Sequence, residues 1–252
     1  MSDVQESPPP DFSPLAGRYA RSRPTYPREW YEYLAGLVDR HDLAWDAATG
    51  NGQAALGLVD HFPRVVATDI SPEQIRHAVR HPAIEYRVAA SENAGLDTGS
   101  VDLVTVAAAA HWFDMNAFGR EVRRVARPGG VLAVWTYHVG IMQPPFDRLF
   151  HKFYFEVVGP YFAAGARLVD QLYATLQLPG APVAAPKLDV TASWNHGQVV
   201  DFIHSWSGTS AYRAATGQDP VDLIREELEA IWGSPDEIHT LAWPLHARIT
   251  RL

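Results

Sequence analysis

The chain has 252 residues, 47% of them hydrophobic and 20% charged, with a formal net charge of −8 at pH 7. That is enough chain for one large domain with a sizeable core, with or without an inserted cap. The negative balance argues against an unspecific grip on nucleic acid or an anionic membrane surface, and leaves small molecules as the expected partners. Cysteine is absent, which excludes disulfides, thiolate metal sites and cysteine nucleophiles. The eleven histidines show no HExxH run and no clustered spacing with carboxylates, so no metal is expected. The opening Met-Ser-Asp-Val-Gln-Glu has neither a basic start nor an apolar h-region, and no apolar run reaches membrane-spanning length, so a cytoplasmic setting is expected.

Residues 1–11 are proline-rich and polar, the composition of a disordered tail. From Phe12 the character changes: Tyr19, Arg21, Arg23, Pro24, Tyr26 and Pro27 form an aromatic and basic segment. It can lie across a ligand as a lid, or pack on the core with its arginines solvated. Glu29 to His41 has helical apolar spacing through Trp30, Tyr33, Leu34, Leu37 and Val38.

Leu43 to Gln53 reads LAWDAATGNGQ: an apolar run ending in Asp46, a turn through Gly50 and Gly52, then a helical pattern from Ala54. Glycines there permit positive φ and a close approach of backbone to ligand, and the following helix points unsatisfied N–H groups at the same spot. Arg64 to Asp69 repeats the logic with a second strand ending in an acid, at the distance where a nucleotide-binding βαβ unit places its ribose ligand. Gly50-Asn51-Gly52-Gln53-Ala54-Ala55 also satisfies the dinucleotide pattern GxGxxG/A, so a nicotinamide enzyme fits this stretch, as does an ordinary glycine turn. Asp46 ahead of the glycines favours a cationic ligand, because a negative charge there disfavours a pyrophosphate.

Ser71-Pro72-Glu73 starts a helix that stops by Pro82, with Ser71 as N-cap and Pro72 in the first turn. Ile84 to Ala89 alternates as a third strand and leads into the turn Ala90-Ser91-Glu92-Asn93 at the ligand-binding edge of a parallel sheet. Val101 to Ala107 is a fourth strand. Asp114 caps a helix with the apolar face Phe118, Val122 and Val125, ended by Arg127-Pro128-Gly129-Gly130, before a fifth strand from Val131 to Tyr137. Strand and helix alternate this far, the pattern of a doubly wound α/β sheet. Beyond His138 the rhythm breaks. Gln143 to Gly159 and Ala163 to Leu178 read as helices, Lys187 to Trp194 as a strand, Gln198 to Ser207 and Val221 to Ile231 as helices, and His239 to Arg251 as a closing strand interrupted by Pro244.

Several ordered motifs together resemble a known family. They are Phe12 through Tyr19 to Arg23-Pro24-Thr25-Tyr26-Pro27, the Asp46 loop, Ser91-Glu92-Asn93, His111-Trp112-Phe113-Asp114, Glu121, Arg124-Val125 and Pro128-Gly129-Gly130. The run is similar to the methyltransferase type 11 group of class I S-adenosylmethionine (SAM) methyltransferases, near the trans-aconitate methyltransferase-like proteins. Weaker similarity through Trp206-Ser207, Tyr212, Trp232-Gly233 and Trp243-Pro244 extends it over most of the chain. The resemblance implies a Rossmann-like α/β fold with a seven-stranded sheet, the last strand antiparallel, and helices on both faces. Within a single domain 12–252 it implies an N-terminal lid and helix (12–42), a cofactor-binding core (43–137) and a helical cap inserted after the fifth strand (138–186 and 197–238).

The resemblance also implies SAM as methyl donor and S-adenosylhomocysteine as product. Carried over by position, Asp46, Ala48, Gly50 and Gly52 surround the methionine moiety and Asp69 holds the ribose. Ile70 flanks the adenine, with Ala90 and Ser91 at its edge, and the Ala107 carbonyl meets the ammonium. Tyr19 and Arg23 close over the cofactor, with Arg23 opposite its carboxylate. Three positions depart from the pattern: Ala48 replaces the first glycine, Ala90 a polar side chain for the adenine amino group, and Ala108 a frequent glutamine.

Methyl transfer from a sulfonium is an in-line displacement, so holding the reactants in a dry site is the enzyme's main task. A carboxylate acceptor needs no base, whereas a hydroxyl or amine does. His111 and His138 follow the fourth and fifth strands and are the base candidates, His111 first as the catalytic residue; each can instead order its loop. Trp112, Trp135, Tyr137 and His138 shape an acceptor pocket or pack the core. Arg21, Arg148 and Arg167 can bind an acidic acceptor or stay solvated. The expected function is methylation of a small molecule, on oxygen, with a carboxylate among the candidates. The rivals are a SAM-binding protein without catalysis and a nicotinamide-dependent oxidoreductase.

Overall fold

The computed structural model describes residues 23–252; the tail, Phe12, Tyr19 and Arg21 lie outside the described residues. The chain folds as α1 (Arg28–Ala35), β1 (Ala44–Ala47), α2 (Gln53–Leu58), β2 (Val65–Asp69), α3 (Pro72–His77), β3 (Ile84–Val88), β4 (Val101–Ala107), α4 (Met115–Val125) and β5 (Ala126–Tyr137). Then come α5 (Pro144–Lys152), α6 (Ala166–Asp170), β6 (Ala181–Val183), β7 (Asp189–Trp194), α7 (His196–His204), α8 (Ser207–Thr216), α9 (Arg225–Trp232) and β8 (His239–Arg251). Strands lie in the order β3-β2-β1-β4-β5-β8-β6, and β7 pairs β8 outside that path. β1 to β5 run parallel, and β8 is antiparallel to β5. This is the expected Rossmann-like sheet with its last strand reversed.

Successive residues of the strands face opposite sides, and both sides are covered, so the strands read as continuous apolar runs. Leu103, Val131, Ala133 and Trp135 join one core with Trp30, Leu58 and Phe62. Val104, Val106, Leu132 and Val134 join the other with Trp45, Phe118 and Val122. The predicted caps form: Ser71 Oγ accepts the Gln74 N–H, and Asp114 accepts from Asn116 and Ala117. The sheet order reverses between β1 and β4, which opens a crevice at the carboxyl ends of those strands, where such folds bind ligands.

Several boundaries differ from expectation. β5 begins at Ala126, so the Pro-Gly-Gly turn lies within the strand, opposite an irregularity in β4 between Val101 and Leu103. A Cβ on Gly130 would lie 2.9 Å from the Arg127 carbonyl oxygen, which is why glycine stands at that close backbone approach. The helix expected over 163–178 shortens to α6, because Leu172 and Tyr173 take left-handed φ angles of 53° and 57°. The stretch after α5, Phe153–Val158, is a π-helix. Within the expected cap segment 138–186, residues 181–183 form the short edge strand β6 on β8.

Pro244 has a specific place. β8 pairs with β7 up to Pro244 and with β5 from Leu245 onward. A residue with no N–H to donate therefore stands where the strand changes partners. The inserted helices pack on an aromatic core that includes a stacked Phe146–Phe150 pair at 4.7 Å and an edge-on Trp194–Trp243 pair at 5.1 Å.

Candidate active site

The glycine loop leaves β1 through three left-handed residues, Ala48 (φ 52°), Gly50 (φ 57°) and Gly52 (φ 86°). Ala48 keeps the backbone conformation of the glycine it replaces, at a cost of about 1 kcal/mol or more for its Cβ. Beneath the loop, Asp46 is fully buried. Its two oxygens accept the Thr49 hydroxyl at 2.5 Å and the Thr105 hydroxyl at 2.7 Å. Burial pushes its pKa up to about 6, with the charge of Asp69 adding to the rise and the two hydroxyls opposing it. Asp69, at the end of β2, accepts the Gly50 N–H at 2.8 Å on one oxygen and the Ser71 N–H at 2.9 Å on the other. Burial raises its pKa, against those two N–H groups. Each carboxylate oxygen keeps a second lone pair for a hydroxyl donor.

Beside the loop lies a cavity of about 490 Å³, within the range of small-molecule sites. Ten of the candidate cofactor and substrate residues stand in its wall: Arg23, Ala48, Gly50, Asp69, Ile70, Ala90, Ser91, Ala107, Trp112 and Tyr137. Ile70, in the wall, exposes 67% of its surface, an apolar face largely uncovered among the described residues. Asp46 and Gly52 are not wall residues. Asp46 fastens the loop from below, and Gly52 backs onto Tyr86, whose hydroxyl oxygen lies 2.1 Å from where a Cβ would stand. Trp135 is completely buried, edge-on to Trp30 at 5.3 Å and Tyr26 at 5.5 Å, and belongs to the core.

The cavity also contains residues that the sequence did not single out. Gln74, on α3, is buried at the wall, and its Oε1 has no hydrogen-bond partner. The spacing that named Ser71 as a cap placed Gln74 one turn further on, which was the available signal. Thr49 and Asn51 complete the loop side. Gln53 donates its Nε2 to the Pro24 carbonyl at 2.9 Å and so ties the segment carrying Arg23 to α2.

A second, smaller cavity of about 140 Å³ shares Arg23, Ala108, Trp112 and Tyr137 with the first. Beyond them its wall is largely aromatic, with Tyr154, Phe162, Phe202 and Trp206, together with His111 and His138. Ala108 (φ 51°) is a left-handed non-glycine residue at the junction. Arg23 donates to the Tyr137 hydroxyl at 3.4 Å and to the Ser205 carbonyl at 3.3 Å, and its guanidinium lies over the Phe202 ring at 5.3 Å. His111 Nδ1 lies 2.8 Å from the Tyr173 hydroxyl, and burial lowers its pKa to about 4. Arg148 and Arg167 are not in the wall of either cavity. Among the described residues no group of histidine and carboxylate side chains is placed to hold a metal ion, and no helix is long and apolar enough to cross a membrane.

Residues 45–134 match the methyltransferase domain family of type 11. A methyltransferase of Dictyostelium discoideum is 32% identical over 231 residues, covering 89% of this chain and 87% of that one. An uncharacterized methyltransferase of Mycobacterium tuberculosis is 40% identical over 129 residues, 50% of this chain and 51% of the relative. The solved structure of a type II methyltransferase from Anaeromyxobacter dehalogenans superposes with a TM-score of 0.85 at 37% identity, covering 91% of this chain and 97% of that one. By sheet order, glycine loop and this similarity along nearly its whole length, the chain belongs to the class I, type 11 family of SAM-dependent methyltransferases.

Proposed function

We propose that the protein transfers a methyl group from SAM to an oxygen of a small-molecule acceptor, with S-adenosylhomocysteine as the second product. The reading rests on one observation: two cavities of unequal size meet at Arg23, Ala108, Trp112 and Tyr137. The larger suits the donor and the smaller an acceptor, and their junction is where a methyl group has to pass.

The residues of the larger cavity fit an adenosyl group. Asp69 offers free lone pairs to the ribose hydroxyls, Ile70 offers a bare apolar face to the adenine, and Gln74 holds an unpaired buried acceptor that a ligand donor satisfies. Ala90 and Ser91 border the base and Ala107 the ammonium, while Ala48 and Gly50 let the loop backbone approach. In this reading Asp46 serves the site through Thr49, holding the loop and supplying negative charge behind it. Gly52 lets the loop pack on Tyr86. Arg23 lies over the junction. When bound, SAM supplies an electrophilic methyl on a cationic sulfur, and the aromatic faces around the junction stabilise such a cation.

The small acceptor cavity and the net charge of −8 support a small molecule, not nucleic acid or a membrane, as the partner, and the cysteine-free sequence suits the cytoplasm. Calorimetry with S-adenosylhomocysteine and with NADH tests the donor: heat from the first alone is expected, and heat from the nicotinamide alone would reverse the assignment. Label passing from methyl-labelled SAM into a metabolite extract separates an enzyme from a binding protein.

A further inference from the structure

The two histidines of the acceptor pocket have different partners. His111 is neutral, with its Nδ1 against the Tyr173 hydroxyl, and a ring whose conjugate acid titrates near 4 is a weak proton acceptor at neutral pH. His138 stands just past the end of β5, its Nε2 3.0 Å from Asp170 Oδ1. The same carboxylate oxygen accepts the Tyr154 hydroxyl at 3.2 Å. A carboxylate on one ring nitrogen selects the tautomer with the proton there and leaves a lone pair on the other, Nδ1.

The backbone around these partners is unusual. Tyr154 is delivered by the π-helix Phe153–Val158, and Asp170 ends α6 just before the left-handed pair Leu172 and Tyr173. Such conformations persist where surrounding structure over-determines them, and they gather at functional sites. Here they bring Asp170 and Tyr154 to His138, and Tyr173 to His111.

We propose that His138 is the general base of the methyl transfer, oriented by Asp170 and Tyr154, and that the acceptor is a neutral hydroxyl on a ring-sized apolar molecule instead of a preformed carboxylate. This rests on the methyltransferase reading above. A carboxylate would have no use for such a base, and Arg23, the arginine in the wall among the described residues, already lies over Phe202 and donates to Tyr137 and Ser205. In the step, the acceptor O–H bond breaks and its proton passes to His138 Nδ1. An oxygen lone pair forms the O–CH₃ bond, and the pair of the methyl–sulfur bond stays on sulfur. The positive charge lost by the sulfonium is gained by the imidazole.

The test compares the wild type with His138→Gln, Asp170→Ala and Tyr154→Phe, using methyl-labelled SAM and three probes. These are para-cresol, protonated at mildly alkaline pH; para-nitrophenol, largely ionised there; and benzoate, already anionic. The wild type is expected to methylate both phenols and not benzoate. His138→Gln and Asp170→Ala should lose on the order of 100-fold in kcat on para-cresol, with KM little changed, and no more than a few fold on para-nitrophenol. Tyr154→Phe should show the same pattern more weakly. Calorimetry with S-adenosylhomocysteine should give one affinity for all four proteins; a wild type that fails to bind it would instead overturn the methyltransferase reading. Nitrogen-15 histidine spectra of the protein alone should place the His138 ring proton on Nε2, with a shift to a tautomer mixture in Asp170→Ala. Equal losses on both phenols overturn the proposal. So does turnover of neither phenol by a protein that binds S-adenosylhomocysteine, or a ring proton resident on Nδ1.

Discussion

The Gly50 N–H donates to the carboxylate of Asp69 at 2.8 Å, so the acid ending the second strand holds shut the loop that leaves the first. In the proposed reading the donor's ribose and the loop's shape therefore depend on one side chain. Asp69→Ala should weaken S-adenosylhomocysteine at least tenfold by calorimetry and cost the free protein about 1–3 kcal/mol in urea unfolding, since the Gly50 and Ser71 N–H groups lose their acceptor. Unchanged affinity would remove Asp69 from the donor site.

Asp46 makes stability depend on pH. Its folded pKa, about 6, lies above its ordinary 3.8, so between those values the folded state binds more protons than the unfolded one. The contribution of this carboxyl to stability then falls as pH rises from about 4 to about 6, and stays lower above that. The loss is at most about 3 kcal/mol. Asp46→Asn should remove that contribution, so that the stability of the wild type minus that of the variant falls across the window in urea unfolding, and the variant should be the more stable protein at neutral pH. The wild-type profile alone does not isolate this carboxyl, because burial lowers the His111 pKa from 6.5 to about 4 and so acts in the opposite sense over the same window; a difference between the two proteins that stays flat or climbs would contradict the burial of Asp46.

Gly52 is required by packing as well as by its φ of 86°. A Cβ there would stand 2.1 Å from the Tyr86 hydroxyl oxygen and 2.9 Å from its Cζ. Gly52→Ala should cost roughly 2–4 kcal/mol, the sum of overpacking and a left-handed alanine. In a Tyr86→Ala background the overpacking part should vanish and the backbone part remain, which a double-mutant cycle on thermal melts resolves.

Gln74 Oε1 is buried without a partner. Gln74→Met should therefore raise the stability of the free protein by about 1 kcal/mol, by removing an unpaired acceptor, while lowering affinity for S-adenosylhomocysteine. A lower melting temperature without ligand would show that the amide is serving the fold instead.

The five parallel strands were legible because each carries a short apolar run, with helix start signals between them at Ser71 and Asp114; the edge strand Ala181–Val183 carries no such run and was not. Ten wall residues of the larger cavity followed from the glycine loop, the Asp69 edge, the residues at and after the ends of the fourth and fifth strands and the family resemblance. What escaped was set by contacts across the sequence. Nothing local in LAWDAATG shows that Thr105, 59 residues away, accompanies Thr49 in covering Asp46 and so turns the carboxylate away from the cavity wall. Trp135 alternates correctly for either face of β5, and only the placement of Trp30 and Tyr26 commits it to the core. Asp170 went unnoticed because the left-handed turn at Leu172 and Tyr173 has no glycine to announce it.

Strand β8 changes partner at Pro244 without leaving the extended conformation, and β7 runs almost directly into α7, which carries Phe202 into the wall of the smaller cavity. The β7–β8 ladder thus ties α7 to the strand that also pairs with β5. Swinging α7 away as a rigid flap would tear that ladder of main-chain bonds, so among the described residues the mobile parts of this wall are its side chains and the irregular turns flanking α6.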